Sequence, residues 1–161
     1  MRAAGASRVI VVEPNEDRRQ LAAGLGAHDA VTPADATGVI HEHTHGLGAD
    51  IVFECVGRPF AVQSAVDHAR RGGSMCLIGL ADEDAAITPR SWLVKEINVT
   101  ASLAYVHEEF EMCMAMLADG RVDVRSLHSS TVGLAGLDAA LADLAMGTSR
   151  HTKVLVDPRL G

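Results

Sequence analysis

Aromatic side chains are scarce: one Trp, one Tyr and three Phe make up 3% of the 161 residues. A core, if there is one, must therefore be aliphatic, built from Val, Leu, Ile and Ala. No run of Lys and Arg occurs, and the formal net charge is −7. This removes the basic face that nucleic acids and anionic membranes require. No apolar stretch is long enough to span a bilayer. Cysteine is limited to Cys55, Cys76 and Cys113, too widely spaced for a zinc knuckle or a CxxC pair. The odd count, and the lack of an apolar leader in Met1 to Ala6, predict reduced thiols and a soluble cytoplasmic protein. An apolar content of 48% is nonetheless ample for the core of one ordinary domain.

What is present is an alternation of strands and helices. Arg8 to Glu13 is a β-branched run ending in an acid, as in a buried parallel strand. Pro14-Asn15 opens a helix over Glu16 to Leu25, closed by Gly26. A short strand at Ala30 to Thr32 precedes a helix over Pro33 to His45. Asp50 to Val56 is the next strand. Pro59 sits well in the first turn of a helix running to Arg70, and Gly72-Gly73 breaks it before a strand over Ser74 to Gly79. Thr88 to Val94 connects, with a short helical turn, to a strand over Ile97 to Leu103. A helix over Glu108 to Leu117, a short strand over Leu127 to Val132, a helix over Leu134 to Met146 and a strand over Lys153 to Val156 complete the chain. Such an alternation predicts βαβ units, a parallel sheet and a doubly wound architecture.

Five segments in order carry a resemblance. They are Leu25-Gly26-Ala27-His28-Asp29-Ala30-Val31, Gly48-Ala49-Asp50-Ile51-Val52-Phe53-Glu54-Cys55-Val56-Gly57, Arg71-Gly72-Gly73-Ser74-Met75-Cys76-Leu77-Ile78-Gly79, Lys95-Glu96-Ile97-Asn98-Val99-Thr100-Ala101-Ser102-Leu103-Ala104-Tyr105, and the ending Lys153-Val154-Leu155-Val156-Asp157-Pro158. With the strand-end acid Glu13 ahead of them, the chain resembles the zinc-type medium-chain alcohol, polyol and threonine dehydrogenases over nearly its whole length. The resemblance implies a Rossmann-like fold and hydride transfer between an alcohol and NAD, in preference to NADP because the acid repels a 2′-phosphate. It implies Glu13 on the adenosine ribose, with Arg18 beside it. It places Val56 and Gly57 under the cofactor, and Ile78, Gly79, Leu80, Ala101, Ser102 and Leu103 along the nicotinamide. It also implies a homo-oligomer joined through the edge strand over residues 97–103. Zinc belongs to the full-length family, but its ligands have no counterparts here.

The family's GxGxxG turn should precede Arg8 by about twenty residues, and Met1 to Ala6 match only the end of the helix after it. The fold expectation is thus a truncated Rossmann-like doubly wound parallel sheet lacking its first strand. Residues 1–103 form this truncated dinucleotide-binding domain. Residues 104–161 are the segment that returns to an absent catalytic domain. In the strand order 3-2-1-4-5-6 the missing strand is central. Either the strands at Arg8–Glu13 and Asp50–Val56 pair directly, or two edges stay open and the chain is a marginal monomer or an assembly.

Other residues have plainer readings. His41 and His45 share a helix face at zinc-ligand spacing, but a surface helix end is the better account of His41, Glu42, His43 and His45. Cys55, Cys76 and Cys113, the last flanked by Met112, Met114 and Met116, read as small core hydrophobes. His151 and Lys153 are candidates for a pyrophosphate contact, with salt bridging as the alternative. At the level of function, three readings stand: a piece of a dehydrogenase that is not catalytic alone, a binding or regulatory module that docks on a full-length dehydrogenase, and an unrelated Rossmann-like nucleotide-binding domain.

Overall fold

The computed structural model describes residues 1–147 and 149–160. In chain order the elements are β1 (Ile10–Val12), α1 (Glu16–Gly24), β2 (Asp29–Val31), α2 (Ala36–Thr44), β3 (Ala49–Glu54), α3 (Pro59–His68), β4 (Ala69–Leu77), α4 (Pro89–Lys95), β5 (Asn98–Ala101), α5 (His107–Ala118), β6 (His128–Val132), α6 (Leu137–Met146) and β7 (Lys153–Val156). The strands form three sheets, β1-β2, β3-β4-β5 and β6-β7, and every pair is parallel. This is the α/β class that the alternation predicts. Within the sheets the order follows the two flanks of a doubly wound sheet. β1 bonds only to β2, and β3 only to β4, among the described residues.

The chain divides into two compact units, Met1–Val31 with Glu108–Gly161, and Thr32–His107. The second unit is organised by β3-β4-β5. Its core is Ala65, Val66 and Met75, with Val52, Val62, Leu77, Trp92 and Ile97 packed against it. It is aliphatic apart from the Trp92 ring, whose Nε1–H donates to Gln63 Oε1 at 3.1 Å, so the ring's one polar atom is satisfied.

The end of α3 departs from the expectation. The helix stops at His68 rather than Arg70, and β4 begins at Ala69 and carries Gly72 and Gly73 inside it. The cause is Lys95, whose ammonium donates to the carbonyls of Val66, Asp67 and Ala69 at 2.7 Å each. It satisfies the open carbonyls at the helix end and lets the chain turn straight into the strand. The glycines absorb an irregularity in register, since Ala49 pairs with Ala69 but Ile51 with Ser74. Gly73 is needed there: a Cβ would lie 2.9 Å from the Arg70 carbonyl oxygen.

In the first unit, Asn15 caps α1 by accepting from the Arg18 amide at 3.0 Å, as the Pro14-Asn15 start signal predicts. His28 locks the strand entry: its Nδ1 accepts from Val9 N–H at 2.9 Å, and its own N–H donates to the Val9 carbonyl at 2.8 Å. Three Asp-x-Arg turns recur, Asp119–Arg121, Asp123–Arg125 and Asp157–Arg159. In each, the aspartate accepts from both the backbone N–H and the guanidinium two residues on. The arginine holds the carboxyl below its usual range in all three, with Asp123 lowered to about 2. Helix α5 corrects the core reading of its sulfur-rich face. Cys113 is exposed, as are Met112 and Met114, because no residue of α5 is buried.

Candidate functional site

The carboxyl ends of β3, β4 and β5 finish together. Glu54 pairs with Leu77 and Leu77 with Ala101, so the segments after these three residues emerge side by side. Ligands of open α/β sheets bind at such strand ends. Here the ends present Val56, Gly57, Ile78, Gly79, Leu80, Ala101, Ser102 and Leu103, bringing eight of the ten residues singled out from the sequence into one region. Val56, Ile78, Leu80 and Leu103 are all exposed apolar side chains.

The organiser of this region is Glu54, which the sequence reading passed over. Its side chain is buried. Oε1 accepts from Val56 N–H at 2.7 Å and Gly57 N–H at 2.9 Å. Its backbone carbonyl accepts from Ile78 N–H at 2.8 Å and Gly79 N–H at 2.9 Å. One residue thereby ties both strand-end loops together. An acid closing the apolar run Ile51-Val52-Phe53 was the available signal, because a buried carboxylate must find donors.

The glycines meet each other rather than open space. Gly57 has φ +66° and lies against Leu80, where a Cβ would stand 2.5 Å from the carbonyl oxygen. A Cβ on Gly79 would be 2.8 Å from Glu54 Oε2. The backbone donors are also partly engaged: besides the four on Glu54, Ser102 N–H donates to the Leu77 carbonyl at 2.9 Å. Leu80 and Leu103 keep N–H groups without a partner among the described residues. A depression at Leu80 is lined by Val56, Gly57, Arg58, Pro59, Leu80, Asp82 and Glu83. Cys55 is exposed, against the core reading. Partial burial of the thiol, the neighbouring Glu54 carboxylate and Cys76 push its pKa up, which disfavours the nucleophilic thiolate.

The remaining two residues, Glu13 and Arg18, belong to the other unit. Glu13 follows β1 directly, and its N–H donates to the Val31 carbonyl at 3.0 Å. The carboxylate is half-buried. Its Oε1 accepts from Asn15 N–H at 2.9 Å, which leaves Oε2 as a free acceptor among the described residues. The Arg18 side chain is exposed. It is Arg19 that engages the turn, donating to the Glu13 and Pro14 carbonyls at 2.8 and 2.7 Å.

His41 and His45 are exposed and His43 is half-buried. Among the described residues no group of three or more His, Cys, Asp and Glu is arranged to hold a metal ion. His151 and Lys153 are exposed, and Lys153 makes no salt bridge among the described residues. No helix among the described residues is long and apolar enough to cross a membrane.

Comparison with known proteins decides the family. The model of the zinc-binding dehydrogenases matches residues 1–119. The chain belongs to the zinc-binding dehydrogenase family. An L-threonine 3-dehydrogenase from Streptomyces coelicolor is 32% identical over 161 residues, covering 97% of this chain and 46% of its own length. The solved 2R,3R-butanediol dehydrogenase of Bacillus subtilis superposes with a TM-score of 0.85 at 28% identity, covering 98% of this chain and 46% of that one. A putative zinc-binding dehydrogenase from Sinorhizobium meliloti, solved bound to NADP, superposes with a TM-score of 0.82 at 28% identity, covering 98% and 47%. These likenesses establish the partial Rossmann-like fold. The zinc-binding dehydrogenase chain spans less than half the length of the curated relatives it matches.

Proposed function

We propose that this chain supplies cofactor-binding residues of an oxidoreductase that moves a hydride between an alcohol and NAD. The observation that carries this reading is the register Glu54–Leu77–Ala101, which ends three parallel strands together in a chain of this family. When bound, NAD would accept the hydride. The residues present suit it. The free Oε2 of Glu13 is an acceptor for ribose hydroxyls, and Arg18 lies on the first turn of α1 just beyond. Val56, Ile78, Leu80 and Leu103 offer an apolar surface to a flat ring. The unused N–H groups of Leu80 and Leu103 are donors for a carboxamide. Gly57 and Gly79 keep the loops of Val56 and Ile78 low by packing on each other, and Ala101 and Ser102 complete the edge.

The functional division falls at about residue 103 in this reading. Residues 1–103 are the cofactor-binding part, and 104–161 belong with the rest of a longer enzyme. The 161-residue chain alone does not turn over alcohol, in keeping with its spanning less than half of its relatives' length. Its substrate class in the complete enzyme is a small alcohol or the matching carbonyl. The free thiols suit the cytoplasm. β5 is an edge strand with exposed residues throughout. It serves to join two copies, or, as a second reading, to dock this chain as a non-catalytic module on a full-length dehydrogenase.

Isothermal titration calorimetry of the purified chain with NAD tests the first reading. Micromolar binding that Glu13→Ala abolishes is the expected result. No heat at millimolar NAD overturns it.

A further inference from the structure

The turn that carries Glu13 holds a cation that the ribose reading does not use. Arg19 lies on the first turn of α1, yet its side chain is only 14% exposed. Nη1 donates to the Glu13 carbonyl at 2.8 Å and to the Pro14 carbonyl at 2.7 Å. Nη2 is paired with the Glu16 carboxylate. Glu16 is itself steadied by Gln20, whose Nε2 donates at 3.0 Å. The guanidinium therefore stitches three consecutive parts of one turn: the carbonyl of the ribose acid, the next carbonyl, and the first residue of the helix.

This arrangement bears on the choice between NAD and NADP, because Arg18 and Arg19 both stand close after Glu13 and an arginine there could receive an extra phosphate. Arginine binds phosphate through a free fork of N–H groups. Both terminal nitrogens of Arg19 already have acceptors within the turn. A 2′-phosphate, carrying nearly two negative charges, would meet the Glu13 carboxylate with the Glu16 carboxylate close behind it.

We propose that Arg19 positions the Glu13 turn, and that Glu16, by holding Arg19, sets the choice of NAD over NADP. The inference rests on the ribose role of Glu13 proposed above. It assigns Arg19 to the protein and not to the cofactor. It makes Glu16 the residue whose loss, with Arg19 kept, admits the phosphate. Glu16 is exposed on the helix surface, so its replacement tests the idea without disturbing the core.

The experiment measures NAD and NADP dissociation constants on the 161-residue chain by calorimetry, with thermal melting alongside. Wild type, E16A, R19M, R19K and the double variant E16A/R19M are compared. E16A shifts the affinity ratio toward NADP by about tenfold, the scale of one charge-assisted contact. The shift disappears in E16A/R19M, because the freed arginine is what receives the phosphate. R19M weakens NAD binding by about tenfold, and R19K recovers part of it, since an ammonium can still donate to both carbonyls. General support of the fold would move the melting temperature but not the cofactor ratio. An unchanged ratio in E16A, or a shift that survives in the double variant and so belongs to Arg18, overturns the proposal. A wild-type chain that binds neither nucleotide, or that binds NAD regardless of Glu13→Ala, overturns the ribose reading itself and this inference with it.

Discussion

Gly79 approaches Gly57 so closely that a Cβ on Gly79 would stand 2.1 Å from the Gly57 nitrogen and 2.7 Å from its Cα. Backbone meets backbone here, with no flexible side chain to give way. Gly79→Ala is therefore expected to destabilise the chain by about 2–4 kcal/mol. Gly57→Ala adds a left-handed φ of +66° to a clash with Leu80, and is expected to cost a similar amount. Gly72→Ala is the contrast: it also has φ +66°, but only the end of the Arg70 side chain lies within 4 Å, so its cost stays near the strain of that φ alone, about 1 kcal/mol. Urea unfolding of the three variants checks the order, and equal losses in all three would refute it.

Glu54→Ala removes the buried acceptor of two part-buried amides at once. A loss of about 2–4 kcal/mol is expected, since each unsatisfied donor costs its desolvation. Glu54→Gln keeps a carbonyl oxygen for Val56 and Gly57 and should lose less than half of that. Amide hydrogen exchange at Val56 and Gly57 locates the effect: protection falls in Glu54→Ala and persists in Glu54→Gln.

His68 gives the stability a defined pH dependence. Burial pushes its pKa down, Asp67 opposes this, and Lys95 and His41 add to it. The folded value lies below the unfolded one, so the unfolded chain takes up the proton first as pH falls. The stabilisation is complete above the ordinary histidine value of about 6.5 and is lost as pH drops through the folded value. Urea midpoints at about pH 7.5 and about pH 5.5 should differ in wild type, and the gap should narrow in His68→Gln. An unchanged gap in the variant assigns the dependence elsewhere.

The edge of β5 makes the assembly testable. Ser102 N–H points to β4, so by alternation along the strand Val99 and Ala101 turn their N–H groups outward. Val99→Pro removes one outward donor and leaves the ladder to β4 intact. Sedimentation of the wild-type chain should show a dimer or larger species, and Val99→Pro should sediment as a monomer. A monomeric wild type removes β5 as the joining surface.

Much of this was legible in the residues. Periodicity and turn chemistry located the strands and helices but not all of their bounds: β1 and β5 are shorter at both ends, α2 starts later, α3 stops earlier, and β4 begins at Ala69 rather than Ser74. What could not be read was long-range. The end of α3 depends on Lys95, a residue more than two dozen positions away, and no local signal at Arg70 announces it. Gly57 and Gly79 were legible, by resemblance, as strand-end glycines facing the cofactor. That each approaches the other emerges only when β3 and β4 are set in register. Glu54 was visible as an acid closing an apolar run, but the resemblance drew attention to the residues after it. Helix spacing does not reveal which of the neighbours Arg18 and Arg19 folds back on the turn; the structure assigns that to Arg19.

Lys95 has a consequence for covalent chemistry. It is one of two lysines in the chain, the other being Lys153. Acylating reagents attack the neutral amine, and an ammonium donating to three carbonyls at 2.7 Å must leave them before it can react. Lys153 is exposed and should be labelled at the pace of a free lysine, while Lys95 should react only as often as the end of α3 opens. Mass-resolved labelling at the two positions would turn the chain's own amines into a clock for that local motion, and equal rates would show that the carbonyl cage does not persist in solution.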